Sequence, residues 1–136
     1  MELKKINRIK FNKKYENPIL DGKKTSTIRT NCDLNPGDIF YVIIDENGLY
    51  LETFDTKPAI GKPDRLLCKA QVEEVQRIRF DEINNTLAFT EGMRHQDLVK
   101  YDLLSYYPNL TDSSLLYYVV FKIIRGSVKW VYWINF

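Results

Sequence analysis

The chain carries Ile19-Leu20-Asp21-Gly22-Lys23-Lys24-Thr25-Ser26-Thr27-Ile28-Arg29, and seven residues after Arg29 comes Pro36-Gly37-Asp38. Gly22 is placed to stop a helical turn, because glycine takes the left-handed conformation that ends one. Thr25, Thr27 and Ile28 are β-branched and favour extended backbone. In Asn35-Pro36-Gly37-Asp38 the proline presets one dihedral and the glycine supplies a positive φ, so the chain must turn. The folding problem here is therefore one of short strands between tight turns.

The rest of the chain reads the same way. Ile6–Phe11 is expected to be a first strand. Tyr15–Leu20 suits a short helical turn with Pro18 near its start. Ile39–Ile44 reads as a buried strand, and Asn47-Gly48 as a hairpin turn into Leu49–Thr53. Phe54–Asp64, with two prolines and a glycine, is expected to be a loop. Leu66–Phe80 predicts one long, bent strand with a bulge near Glu73-Glu74. Asp81 is placed to cap a helix running to Glu91, with Gly92 as its stop. Met93–Tyr106 predicts a second helix, ended by Pro108. Leu115–Ile124 is the strongest strand pattern, and Arg125-Gly126-Ser127 is expected to turn it into a last strand, Val128–Phe136. Many short strands with a helical insertion point to an α+β chain: a small, mostly antiparallel β-barrel with two to three flanking helices. At 136 residues the whole chain, 1–136, is expected to be one domain with a C-terminal strand extension at about 127–136.

Charge sets the first limit on function. Met1–Thr30 holds nine Lys/Arg against three Asp/Glu, while the remainder carries an acidic excess, so the net is only +2. A basic end on a near-neutral chain suggests a local anion site rather than a nucleic-acid coat; a solvated, lysine-rich edge explains it equally. Cys32 and Cys68 stand far apart with no CxxC or Cys/His cluster, so no metal is expected. The cysteines read as reduced thiols of a cytoplasmic protein. The amino-terminal residues alternate lysine and arginine with isoleucine and do not read as a signal peptide. No apolar run approaches the roughly 18 residues of a membrane span, so no membrane partner is expected.

The residues that could carry chemistry lie in the opening run. If Thr25–Arg29 is extended, Thr25, Thr27 and Arg29 share one face, and Ser26 and Ile28 take the other. Arg29 could grip a phosphate or carbonyl with two donors. Lys24 sits at the loop–strand junction. A lysine near its ordinary pKa of ~10.4 is a poor base, but burial or cationic neighbours such as Lys23 and Arg29 would free the amine. Glu91, at a helix end, is a candidate to carry a proton or hold a water. The plain alternative is an edge strand whose lysines block aggregation. His95 is the only histidine, which rules out a His-based triad with a second histidine or a multi-histidine metal site, and it reads as a helix-surface residue. Tyr117, Tyr118, Phe121, Trp130, Tyr132 and Trp133 read chiefly as core, with Trp133 or Tyr118 left as a stacking platform.

The Gly22–Arg29 run with its spaced Pro36-Gly37-Asp38 resembles the signature of the ASCH (activating-signal-cointegrator homology) domain, a branch of the PUA-like barrels. Phe80-Asp81-Glu82-Ile83, Glu91-Gly92, Tyr107-Pro108 and Tyr117-Tyr118-Val119-Val120-Phe121 agree in order, so the resemblance spans about Ile6 to Ile124. It implies work on RNA or nucleosides. One branch consists of small bacterial acetylcytidine amidohydrolases, which remove the acetyl group from the exocyclic nitrogen of the base. Their lysine, threonine and glutamate fall on Lys24, Thr27 and Glu91. Lys24 is then implied as nucleophile or base, Glu91 as manager of a proton or water, and Thr27 as holder of the scissile carbonyl. Lys23, Thr25 and Arg29 are expected to bind substrate. The chain departs from that branch in its Phe54–Asp64 loop and its C-terminal strand. Other ASCH proteins imply two further readings: a non-catalytic RNA-binding module on the same basic groove, and a ribonuclease acting through Lys24 and Glu91. A nucleoside or RNA ligand is expected, with no cofactor.

Overall fold

The computed structural model describes residues 7–46, 63–124 and 126. Five strands form one mixed sheet: β1 (Arg8–Asn12), β2 (Ser26–Arg29), β3 (Ile39–Asp45), β4 (Arg65–Arg79) and β5 (Leu115–Ile123), in the order β1-β3-β4-β5-β2. Among the described residues three α-helices accompany them: α1 (Glu16–Leu20), α2 (Asn85–Thr90) and α3 (Gln96–Tyr106). The β3–β4, β4–β5 and β5–β2 pairs are antiparallel. β1 runs parallel to β3, with Arg8 opposite Tyr41 and Asn12 opposite Asp45. The architecture is the expected α+β one. Among the described residues the sheet is a curled half-barrel.

The curl is visible in a single hydrogen bond. β1 and β2 are the two ends of the strand order, yet the Arg29 Nη2 of β2 donates to the Lys10 carbonyl of β1 at 2.8 Å. The sheet has turned far enough for one side chain to span its open seam. β4 makes the turn feasible. Its register against β5 slips between Val72 and Glu74, a bulge at the place the sequence suggests, and bulges increase local twist.

Apolar side chains divide between two clusters. Inside the curl, Phe11, Ile19, Phe40, Val42, Val119 and Phe121 pack together, with Phe40 and Phe121 edge-to-face at 5.6 Å. Beyond the bulge, Ile28, Ile78, Phe80, Leu116 and Tyr118 pack against Ala88 of α2 and Val99 and Leu103 of α3. Helices and sheet therefore meet where β2 ends.

Several boundaries differ from the sequence reading. β1 starts at Arg8 and β4 at Arg65. Phe80–Glu82 is a 3-10 turn, not the start of α2. Glu82 turns back to accept from the Arg79 amide at 2.7 Å, and the cap of α2 is Asn84, whose side chain accepts from the Leu87 amide at 2.9 Å. α3 starts at Gln96, because the His95 ring nitrogen accepts from the Asp97 amide at 3.1 Å and occupies the cap. Tyr118 is buried and is not a stacking platform. The Asn47-Gly48 hairpin, the Leu49–Thr53 strand, most of the Phe54–Asp64 loop, the Arg125–Ser127 turn as a whole and the Val128–Phe136 strand with its aromatics lie outside the described residues. No helix among the described residues is long and apolar enough to cross a membrane.

Candidate active site

Backbone geometry brings Lys24 to Glu91 before any side chain is considered. At the end of α1, Gly22 adopts φ +75, and the amides of Lys23 and Lys24 both donate to the Pro18 carbonyl at 2.9 Å. This wraps the chain round the helix end and aims it along α2. Lys24 and Glu91 then form an isolated antiparallel bridge, and the Thr25 amide donates to the Thr90 carbonyl at 2.7 Å. Gly92 closes the arrangement with φ +79. A Cβ there would lie 3.4 Å from Lys24 Cβ and 3.5 Å from the Lys23 carbonyl oxygen. Gly92→Ala is expected to cost about 1–2 kcal/mol through left-handed strain and to displace the lysine. Urea denaturation would check the first effect, and a wild-type midpoint would refute it.

Both side chains turn inward, Lys24 at 4% exposure and Glu91 at 6%. Lys24 Nζ lies 3.4 Å from Glu91 Oε1. The Ser26 hydroxyl donates to Glu91 Oε2 in a short hydrogen bond. Behind it, Ser26 Oγ lies 2.8 Å from Thr90 Oγ1, which is 2.7 Å from the Tyr118 hydroxyl. The ammonium sits 4.7 Å from the centre of the Tyr15 ring, a cation–π contact. The Tyr15 hydroxyl donates to Asp102 of α3, which also pairs with Lys14.

Burial governs the protonation of the pair. It pushes the Lys24 ammonium below the usual lysine range; Arg29 adds to this, and the Glu91 charge opposes it. It pushes the Glu91 carboxyl above the usual range, against the pull of Lys24, Ser26 and Arg29. Desolvation disfavours both charges, so the neutral amine and neutral acid come within reach of the ion pair.

Lys24, Glu91, Tyr15 and Asp102 line a cavity of about 330 Å³, together with Thr27, Ile28, Arg29 and Met93. Arg29 Nε donates to Thr27 Oγ1 at 2.9 Å, and its guanidinium lies 4.9 Å from the centre of the Phe11 ring. Because Thr27 accepts from Arg29, its own O–H proton is free to donate into the cavity. Of the residues suggested by sequence, Lys24, Thr27, Arg29 and Glu91 line one cavity. Lys23 is exposed and Thr25 half-buried, and neither lines it. Sequence reasoning missed Ser26, Thr90, Tyr15 and Asp102. Ser26 lay within the singled-out run, but alternation alone placed it on the opposite face from Thr27. No cluster of three or more His, Cys, Asp or Glu suited to a metal occurs among the described residues.

No family model matches the chain. A solved ASCH domain from Lactobacillus crispatus JV V101 superposes with a TM-score of 0.53 at 13% identity, covering 79% of this chain and 69% of that one. The chain has the ASCH-domain fold. A solved protein of Enterococcus faecalis V583, of family DUF984, has a TM-score of 0.56 at 13% identity, with 82% of this chain and 67% of that one covered. Among curated proteins, the N(4)-acetylcytidine amidohydrolase of Moritella marina is 25% identical over 120 residues, which are 88% of this chain and 95% of that protein. In this ASCH fold the cavity opens where the curled sheet meets the helices, and the Lys24–Glu91 pair lies in its wall.

Proposed function

We propose that the chain is an amidohydrolase that cleaves the acetyl group from the exocyclic nitrogen of an acetylcytidine-type nucleoside. The observation that carries this reading is the buried Lys24–Glu91 pair in the wall of a nucleoside-sized cavity. The named Moritella marina relative supplies the substrate class. A cavity of about 330 Å³ is at the low end of small-molecule sites, roughly 300–1,000 Å³. That size favours a single nucleoside over an RNA-binding surface or a strand-cleaving groove.

The chemistry follows from the protonation of the pair. Proton transfer from Lys24 to Glu91 leaves a free amine and a carboxylic acid without changing the net charge. The amine takes a proton from water as the water oxygen attacks the acetyl carbonyl. The carbonyl oxygen, becoming negative, receives the Thr27 hydroxyl proton as a hydrogen bond, with Arg29 polarising that hydroxyl. Glu91 gives its proton to the departing nitrogen, the C–N bond breaks, and acetic acid and the free base amine leave; the acid gives its proton to bulk water and becomes acetate. Lys24 then returns its extra proton to Glu91.

Activity needs the pair to hold one proton between its two members. Adding a second proton charges Lys24 and neutralises Glu91, which removes the base. Losing the first leaves a carboxylate with no acid to offer. The kcat/KM profile for acetate release is therefore expected to be a bell. Its acid limb should lie above pH 4.5, because burial raises Glu91, and its basic limb below pH 10.5, because burial lowers Lys24. The limbs belong to the coupled pair. Acetate release from acetylcytidine, followed across this range, tests the reading. No release at any pH would end it.

A further inference from the structure

A second cavity, of about 370 Å³, lies at the seam between β1 and the residues that follow β2. Asn7, Arg8, Lys10, Arg29, Asn31 and Asp33 line it. Lys10 and Arg29 also line the first cavity, so the two chambers share a wall.

Their charges differ. The first cavity balances Asp45, Glu91 and Asp102 against Lys10, Lys24 and Arg29. The second sets Arg8, Lys10 and Arg29 against Asp33 alone. The balanced first chamber offers an anion no net attraction, whereas the cationic excess of the second attracts it. The donors are also available. Arg29 spends one N–H on Thr27 and one on the Lys10 carbonyl, which leaves three of its five. The Arg8 side chain has no hydrogen-bond or ion-pair partner among the described residues, while Lys10 pairs with Asp64 at 2.9 Å on the exposed side.

We infer that the second cavity is an anion subsite for the phosphate ester of a nucleotide whose base occupies the first, with Arg8 and the spare donors of Arg29 as its grip. The assignment of the base rests on the proposed function; the assignment of the phosphate rests on the seam itself. The preferred substrate class is then an acylated cytidine mononucleotide rather than the bare nucleoside.

Two measurements test this. Acetate release is compared for acetylcytidine and its 5′-monophosphate, and calorimetry compares cytidine, cytidine 5′-monophosphate and a cytidine-centred trinucleotide. The monophosphate is expected to be favoured about tenfold or more in both, the effect of one charge-assisted hydrogen bond. In Arg8→Ala the ratio should fall severalfold, the remainder being held by Arg29. Equal affinity for cytidine and its monophosphate, or a preference undiminished in Arg8→Ala, overturns the subsite. A trinucleotide that binds more tightly than the monophosphate overturns the mononucleotide and makes a strand the source of the phosphate. If neither acetylated substrate is turned over but the monophosphate still binds more tightly through Arg8, the proposed reaction fails and the subsite stands.

Discussion

Lys24→Met is expected to reduce acetate release from acetylcytidine by about 10³-fold or more, within the 10²–10⁴ that a positioned base contributes. It is also expected to destabilise the fold, because the two losses share one cause. Lys24 and Glu91 are both almost fully buried, at 3.4 Å. Removing one member of such a pair strands the other, at about 3–5 kcal/mol. Protonation of Glu91 offsets part of that, since burial already raises its pKa. Against a typical total of roughly 5–15 kcal/mol, the single variant remains foldable but weak. The double variant Lys24→Met/Glu91→Gln separates the effects. It removes both charges and keeps an acceptor for the Ser26 hydroxyl, so most of the lost stability should return while activity stays absent. Urea midpoints and acetate assays on the three proteins provide the check. A stable, active Lys24→Met would refute the assignment of the lysine.

Arg29→Lys carries the second large effect. In the native fold the guanidinium bonds Thr27 through Nε and the Lys10 carbonyl through Nη2, and lies over Phe11. A lysine has a point charge on a flexible stem and cannot hold both ends of that fork. One charged hydrogen bond lost, at about 1.5–3 kcal/mol, is the expected cost to stability. Activity should fall further, by about 10²-fold, because Thr27 loses the donor that frees and polarises its hydroxyl. Denaturation and kinetics on the same preparation measure the two. If Arg29→Lys retained wild-type stability and kcat, the guanidinium would be neither a clasp of the seam nor a support for Thr27.

The bridging role of Arg29 could not be read from sequence. Alternation correctly groups Thr27 with Arg29, which are hydrogen-bonded, because a strand's side-chain period is local. It cannot say that Lys10 will stand across a gap from Arg29, because that depends on how far the sheet curls. The parallel pairing of β1 with β3 is hidden for the same reason: Arg8–Asn12 has the same pattern whichever neighbour it finds. The boundaries of α2 and α3 moved because Asn84 and His95 are caps, and capping depends on backbone geometry beyond a residue's type.

By itself the sequence determined the turn at Gly22, the turn at Pro36-Gly37, the bulge beside Glu73 and the strands β1 to β5, all consequences of local dihedral preference. Its resemblance to the ASCH signature also nominated Lys24, Thr27 and Glu91. Only the tertiary structure decided that Ser26 reaches Glu91, that Tyr15 and Asp102 stand beside Lys24, and that the lysine and glutamate are buried together. Burial is a property of everything packed around a group. It shifts the protonation of the pair, and no stretch of eleven residues contains it.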